Sequence, residues 1–280
     1  IRRGLVVVDT HAHIYHADES TYPMIEGPSR PPEGIGTIEH LRKNTAYAGI
    51  SHVVLVQTGS AYRWDNRLLG DTAKANDDWT VGVCTLDPSS RESIIELERL
   101  RTGFNVRGFR VEPTRSDYPQ FYHPGSVALW EAAQRLDVVI CAHLQSRYLQ
   151  QLSDLLARFP DVPVVLDHAA YPKAAAGVDS KTVNAVVDLA RFDQLHVKLT
   201  FMVTGSNENF PFADMHGIVR KILRAYGPDR CMWGSDFPCE HWLKKSTYIQ
   251  HLDLFRKVLG LSKREESAVL SETATRLWFS

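Results

Sequence analysis

The chain has 280 residues, 44% of them hydrophobic and 23% charged, and its 32 Lys and Arg residues nearly balance 33 Asp and Glu residues. This composition excludes a disordered chain, a collagen-like chain and a disulfide miniprotein. With no long basic stripe and no apolar run near ~18 residues, we expect neither a nucleic-acid nor a membrane partner. Four cysteines without a CxxC pair, and an N-terminus unlike a signal peptide, favour reduced thiols and a cytoplasmic location.

Short apolar runs rich in β-branched residues predict eight strands. Most runs are continuous rather than alternating, which is typical of parallel strands buried on both faces. Successive runs start 26 to 47 residues apart, enough for one helix and two loops in each gap. The predicted strands are Leu5–Val8, His52–Val56, Thr80–Cys84, Val106–Val111, Val138–Ala142, Val164–Leu166, Leu195–Leu199 and Cys231–Trp233.

Helical segments separate these strands. Ser262 and Glu265 form a capping-box pattern that predicts a further short helix near the C-terminus. The predicted helices before it are Ile38–Ala48, Asn66–Ala75, Arg91–Arg101, Val127–Arg135, Tyr148–Arg158, Val183–Arg191, Asp214–Tyr226 and Tyr248–Leu259.

Eight strands alternating with eight helices predict an α/β fold, a (β/α)₈ TIM barrel with some distortion, forming a single domain over residues 1–280. The Pro- and Gly-rich segment Tyr15–Thr37 is expected to be a long loop over the barrel mouth, and extra helices are expected at the C-terminus. An open doubly wound sheet is the alternative. It is disfavoured because no GxGxxG loop follows the first strand.

Polar side chains follow four of the predicted strands. His11 and His13 come after the first strand and, two residues apart, can face the same side. His143, His168 and Asp236 follow the fifth, sixth and eighth strands. Singly, each has a structural explanation, such as a satisfied core histidine or a helix cap. Because strand ends converge at one mouth of a barrel, the set predicts a catalytic centre whose N and O donors suit Zn²⁺ or Mn²⁺.

Cationic residues near the same mouth predict a substrate that carries a carboxylate, since Arg binds carboxylates bidentately. Arg110 and Lys198 have a buried ion pair as the alternative explanation, with Glu112 the expected partner of Arg110. For Arg63 and Arg147 the alternative explanation is a charged loop side chain that is exposed to water. Six further residues in strand-end loops are candidates for shaping the pocket, with a purely structural role as the favoured explanation for each: Tyr22, Tyr62, Trp64, Asn66, Tyr171 and His241.

Taken together, the motifs resemble the amidohydrolase superfamily, in particular its amidohydrolase 2 branch. Within that branch the chain is most similar to the lactonases related to 2-pyrone-4,6-dicarboxylate lactonase and to sugar-lactone hydrolases. The resemblance covers nearly the whole chain. It rests on Val8-Asp9-Thr10-His11-Ala12-His13, Leu166-Asp167-His168 and Trp233-Gly234-Ser235-Asp236-Phe237-Pro238, supported by Tyr22-Pro23, Asp65-Asn66-Arg67, Leu86-Asp87-Pro88 and Val106-Arg107-Gly108-Phe109-Arg110.

The resemblance implies hydrolysis of a carboxylated or sugar-derived lactone, with Asp236 as the general base and His168 orienting water or the carbonyl oxygen. It implies one divalent metal, zinc first and manganese second, with His11, His13, His143 and Asp236 as ligands. In a metal-free alternative the histidines polarise the carbonyl directly. Asp9 is implied as a hydrogen-bond partner of a histidine ring.

One departure keeps a second reaction open. The lactonases often lack a histidine after the fifth strand, whereas metal-dependent decarboxylases and hydratases of the same branch use that position as a ligand. His143 therefore favours, as the alternative, a decarboxylase or hydratase of a small aromatic or dicarboxylic acid. A barrel that only binds a ligand is a third reading, disfavoured by the complete set of histidines and Asp236. A small molecule is the expected partner in each case, and a homo-oligomer is common among barrel enzymes.

Overall fold

A parallel sheet of eight strands, ordered β1 to β8 as in the sequence, forms the centre of the molecule. The computed structural model describes residues 6–112 and 123–280. Each strand pairs in parallel with the next, so the predicted (β/α)₈ barrel is confirmed. The strands are Val8–Ala12 (β1), His52–Val56 (β2), Thr80–Thr85 (β3), Val106–Val111 (β4), Val139–Ala142 (β5), Val164–Leu166 (β6), Leu195–Lys198 (β7) and Cys231–Met232 (β8).

Helices occupy the intervals between strands, and further helices follow β8. Both halves of the predicted capping box are present, because Ser262 and Glu265 each bind the other's backbone N–H. The α-helices are Ile38–Ala48 (α1), Gly59–Tyr62 (α2), Arg67–Ala75 (α3), Glu92–Gly103 (α4), Pro124–Leu136 (α5), Leu149–Arg158 (α6), Lys181–Asp188 (α7), Met202–Gly205 (α8), His216–Tyr226 (α9), Cys239–Trp242 (α10), Tyr248–Asp253 (α11), Lys263–Ser267 (α12) and Thr273–Trp278 (α13).

Strand β1 lies further along the chain than the sequence pattern predicted. The apolar run ends at Val8, but the strand continues through Asp9, Thr10 and His11, which are fully buried. Their polar groups find hydrogen bonds inside the barrel, so burial there does not require apolar side chains. Leu5, where the strand was predicted to begin, is outside the described residues.

Hydrogen bonds between the ends of β1 and the segment after β8 close the barrel at its mouth. The Asp236 N–H donates to the His11 carbonyl at 2.8 Å, and the His13 N–H donates to the Phe237 carbonyl at 2.8 Å. The residues of the His-Ala-His motif and Asp236 are therefore held on adjacent backbones. Closure of the sheet and assembly of the site depend on the same contacts.

The apolar core has two parts. Strand residues such as Val54, Val83 and Val165 form a smaller cluster together with Trp278 of α13. A larger cluster joins the strands to the surrounding helices. The four cysteines, Cys84, Cys141, Cys231 and Cys239, are free and buried in these layers. In the described part of the chain, every helix is too short or too polar to cross a bilayer.

A left-handed turn follows β6. Four consecutive residues, 168 to 171, have positive φ angles, between 48° at Ala169 and 60° at Tyr171. This conformation costs roughly 1–2 kcal/mol for each residue other than glycine. The turn places the rings of His168 and Tyr171 in a stack with centroids 4.8 Å apart.

A buried chain of ion pairs lies beneath the mouth. Asp167, at the end of β6, is 3.0 Å from the Lys198 ammonium of β7 and 3.0 Å from the Arg110 Nε of β4. Arg110 is also 3.0 Å from Glu112. All four side chains are almost completely buried, so each charge depends on its partners for the solvation that water would supply. Burial alone would raise the pKa of Asp167, but Lys198 and Arg110 reverse the effect and lower it.

We expect Gly234→Ala to destabilise the protein by about 1–3 kcal/mol. A Cβ at this position would lie 2.8 Å from the His11 Cβ and 3.0 Å from the His11 backbone nitrogen, so β1 and the segment after β8 would have to separate. Urea unfolding would measure the loss. Gly103→Ala is the matched control, because a Cβ there meets no atom within 4 Å. Equal stability of the two variants would contradict the close approach.

We expect Asp167→Asn to lower the free energy of unfolding by about 3–5 kcal/mol at pH 7, because two buried cations lose their shared carboxylate. The folded-state pKa of Asp167 lies below its ordinary value of 3.8, so its contribution is complete above about pH 4 and declines as the pH falls further. The difference between wild type and variant should therefore shrink below pH 4. Urea titrations at pH 7, 5 and 3 would measure it.

Asp253→Asn is the control for this variant, because its partner Lys257, 2.9 Å away, is largely exposed. Such a pair contributes about 0–1 kcal/mol. A loss for Asp167→Asn no larger than that of Asp253→Asn would contradict the role of the buried chain.

Candidate active site

A cavity of about 220 Å³ opens at the carboxyl ends of the strands. Cavities for drug-sized ligands are roughly 300–1,000 Å³, so this one suits a substrate about the size of a single ring. Its walls come from several strand ends, which is where barrel enzymes place their reacting groups. The lining residues are His13, Tyr15, Thr58, Gly59, Ser60, Arg110, His143, His168, Tyr171, Thr204, Asp236, Pro238, Cys239, Trp242 and Leu243.

Three of the predicted ligands form a compact cluster of donor atoms. The His11 Nε2 lies 3.2 Å from the His13 Nε2, and the Asp236 Oδ1 lies 3.6 Å from the first and 3.4 Å from the second. Donors bound tetrahedrally to one zinc ion at about 2.0–2.2 Å lie about 3.3–3.6 Å apart. The cluster therefore fits three ligands of a single metal ion, with a fourth position open.

The two histidines differ in what contacts their other ring nitrogen. The Nδ1 of His13 lies 2.9 Å from the Val56 carbonyl oxygen, which can only accept, so Nδ1 carries the hydrogen and Nε2 keeps its lone pair. The Nδ1 of His11 instead lies 3.2 Å from the Lys198 ammonium and 3.7 Å from an Asp167 oxygen. Burial, together with nearby Lys198, holds the pKa of His11 well below 6.5.

Asp236 is the carboxylate of this cluster and lies just beyond β8. Its backbone has a positive φ of 56°, and its N–H is bound to the carbonyl of His11, which together fix the side chain toward the cavity. Burial would raise the pKa of Asp236, but His168, His13 and Arg110 lower it to about 2. The carboxylate is therefore ionised at neutral pH and able to accept a proton.

His168 lies between Thr200 and Arg110. Its Nδ1 is 2.6 Å from the Thr200 hydroxyl, and its Nε2 is 3.5 Å from an Arg110 nitrogen. Because a guanidinium only donates, the Nε2 of the neutral ring carries no hydrogen and Nδ1 donates to Thr200. Burial lowers the pKa of His168 to about 3, so the ring is neutral at pH 7.

His143 lines the cavity but lies outside the donor cluster, which among the described residues consists of His11, His13 and Asp236. Its Nδ1 is 3.2 Å from Glu112 and its Nε2 makes a short hydrogen bond to the Tyr171 hydroxyl. Both ring nitrogens are thus engaged by protein groups, and a role for His143 as a metal ligand stays a prediction from the sequence alone.

Tyr171 is the cavity residue whose importance sequence reasoning underestimated. It lies three residues after His168, and only the left-handed turn brings the two rings to the same wall. A run of four positive φ angles without a glycine leaves no sequence signal. Burial raises the pKa of Tyr171 above its ordinary value, so the phenol stays protonated and can donate a hydrogen bond.

Of the two buried cations predicted to bind substrate, Arg110 lines the cavity and Lys198 lies beneath it. Arg110 lines the cavity while pairing with Glu112 and Asp167, so the ion pair considered as its alternative explanation is present. Lys198 is fully buried below the cavity and contacts Asp167 and His11. Direct contact between Lys198 and a substrate does not fit this position.

The remaining predicted pocket residues lie away from the cavity. The Asn66 side chain hydrogen-bonds to the backbone of Trp64 and of Thr85, and so fixes the loop after β2 to the end of β3. The Tyr22 hydroxyl binds Asp71 at 2.9 Å in a different surface groove.

The two loop arginines, Arg63 and Arg147, also lie away from the cavity. Arg63 lies over the Trp64 ring, and exposed Arg147 lies over Tyr148. Neither is among the residues that line the cavity. A long side chain close in sequence to a strand end need not turn inward, because it can cover an aromatic neighbour and keep its charge in water.

Among the described residues, Asp9 makes no hydrogen bond to a histidine ring, although the family resemblance implied one. Its buried carboxylate accepts the Ser235 N–H at 2.8 Å, the Ser235 hydroxyl at 2.6 Å and the Tyr248 hydroxyl at 2.7 Å, rather than a histidine ring N–H. It thereby joins β1 to the segment that carries Asp236. Asp9 acts on the site by fixing that segment.

The comparison with characterised proteins agrees with this architecture. The chain is 29% identical over 241 residues to a 4-sulfomuconolactone hydrolase of Rhizobium radiobacter, covering 82% of this chain and 75% of that protein. It is 25% identical over 239 residues to an L-fucono-1,5-lactonase of Burkholderia ambifaria, covering 82% and 80%.

Among solved structures, an amidohydrolase from Burkholderia multivorans with bound zinc superposes with a TM-score of 0.80 at 22% identity, over 98% of this chain and 99% of that one. This similarity shows a shared fold. The amidohydrolase family model matches residues 8–279, which includes every strand and the entire donor cluster. The chain belongs to the amidohydrolase family.

Proposed function

We propose that this protein is a lactonase that opens a small carboxylated or sugar-derived lactone by hydrolysis. The observation that carries the proposal is the ionised Asp236 carboxylate clustered with His11 and His13 at the wall of a ring-sized cavity. Relatives named as hydrolases of lactones support the same bond type.

In the proposed reaction Asp236 accepts a proton from water as the water oxygen attacks the lactone carbonyl carbon. The carbonyl oxygen gains negative charge, and the Arg110 guanidinium, a donor that lines the cavity, can stabilise that charge. The bond between the carbonyl carbon and the ring oxygen then breaks. The ring oxygen recovers a proton from Asp236, which yields a hydroxy acid and restores the carboxylate.

A divalent metal fits the donor set, and His11, His13 and Asp236 would hold it. When bound, such an ion supplies a Lewis acid that polarises the carbonyl and lowers the pKa of a bound water. Zinc is the first candidate because two nitrogen donors and one carboxylate suit it, with manganese second. In the metal-free alternative a histidine polarises the carbonyl directly, and His11 is the one that can donate from Nε2, because the hydrogen of His13 is on Nδ1.

The substrate is proposed to carry a carboxylate because Arg110 lies at the cavity wall and binds such groups well. The decarboxylase or hydratase alternative rested on His143 as a ligand. Since both nitrogens of His143 are engaged by Glu112 and Tyr171, the geometry favours the lactonase.

We expect Asp236→Asn to lower kcat by about 10²- to 10⁴-fold on a lactone that the wild type opens, because the amide cannot take up the proton. The assay would follow proton release from a panel containing 4-sulfomuconolactone, L-fucono-1,5-lactone and 2-pyrone-4,6-dicarboxylate. Glu240→Gln is the control, since this carboxyl follows in α10 but does not line the cavity. Wild-type rates for Asp236→Asn would rule out its role as the base.

We expect the protein in excess zinc to bind about one ion per chain, and His13→Gln to bind zinc much more weakly, because one of three donors is removed. Elemental analysis would measure the content, and lactone hydrolysis before and after chelation would show whether the ion is needed. An unchanged rate in metal-free protein would support the alternative in which histidines act on the carbonyl directly.

A further inference from the structure

Lys198 is a buried cation that the proposed mechanism does not use. Its side chain is fully buried, and its ammonium lies 3.0 Å from Asp167 and 3.2 Å from the Nδ1 of His11. It therefore occupies the side of His11 that faces away from the cavity. Its contact with His11 determines which ring nitrogen of that histidine carries the hydrogen.

An ammonium group only donates hydrogen bonds. In the neutral ring of His11, the Nδ1 facing Lys198 must then be the acceptor, and the hydrogen is on Nε2. That hydrogen points toward the Nε2 of His13, 3.2 Å away, whose lone pair is available because Nδ1 of His13 donates to Val56. The two histidines can thus satisfy each other without a metal.

Metal binding requires the opposite tautomer of His11, because a ligating Nε2 must offer its lone pair. The hydrogen would move to Nδ1, where it would meet the N–H groups of Lys198. Histidine ligands almost always direct this N–H to a carboxylate, a carbonyl or water. Asp167 is such an acceptor, but its nearer oxygen is 3.7 Å from Nδ1 and lies closer, at 3.0 Å, to the Lys198 ammonium.

We propose that Lys198 selects the tautomer of His11 and so holds the site in a metal-free, histidine-paired form, making a bound metal weakly held and exchangeable. The inference rests on the proposed donor cluster of His11, His13 and Asp236. Lys198 is a positioning residue in this account. It sets the metal affinity through His11 and touches no reacting atom.

Replacement of Lys198 by residues of different hydrogen-bonding capacity tests the proposal. Lys198→Gln offers an acceptor to Nδ1 and keeps an N–H for Asp167, whereas Lys198→Arg keeps only donors. Partners of ligating histidines change metal affinity by about 10–100-fold. We expect the Gln variant to bind zinc at least about 10-fold more tightly than wild type, and the Arg variant to resemble wild type, in competition titrations with a chromophoric chelator.

Nitrogen NMR of metal-free protein labelled at histidine gives a second readout that needs no activity. The wild type should show the Nε2–H tautomer for His11, assigned by comparison with His11→Gln, and Lys198→Gln should show Nδ1–H. The wild-type spectrum decides the matter even if a variant fails to fold. The Nδ1–H tautomer in the wild type, or no gain of affinity in Lys198→Gln, would overturn the proposal.

Hydrolysis of the lactone panel by wild-type protein tests the proposed function separately. A protein that opens a lactone but shows the wrong His11 tautomer would overturn only the inference about Lys198. A protein with the expected tautomer and affinity change, but no hydrolysis of any lactone, would overturn only the proposed reaction.

Discussion

Burial of the Asp167 carboxylate between two cations is the interaction on which the site depends most. Asp167 ends β6, and its partners Lys198 and Arg110 come from β7 and β4. Three strands are thereby fixed relative to one another by charges that have no access to water. His168 follows Asp167 in the chain, and His11 contacts Lys198, so the positions of both histidines are set from below by this one carboxylate.

The arrangement also balances charge at the cavity floor. Two carboxylates, Asp167 and Glu112, face two cations, Arg110 and Lys198. Asp236 then stands above this neutral set with its own negative charge, which nearby Arg110 favours. Among the described residues that line the cavity, Asp236 is thus the carboxylate able to take up a proton or to bind a cation.

The fold and the converging residues could be predicted from the sequence because both follow from periodicity. Continuous apolar runs at regular spacing give parallel strands, and strand ends meet at one mouth, which brings His13, His143, His168 and Asp236 to one cavity. The first strand was misplaced because its mouth end is polar yet buried. Side-chain direction at loop positions such as Arg63 and Arg147 could not be predicted, since local aromatic contacts decide it. A single domain, a cytoplasmic location and a homo-oligomer stay predictions.

The left-handed turn at residues 168 to 171 has a thermodynamic consequence for ligand binding. The stacked rings of His168 and Tyr171 are held by hydrogen bonds to Thr200 and His143. A ligand that meets this wall has little side-chain motion left to suppress, so the entropy lost on ordering the protein there is small. Such preorganisation favours discrimination between ligands by shape, because the wall cannot adjust to a poorly fitting ring.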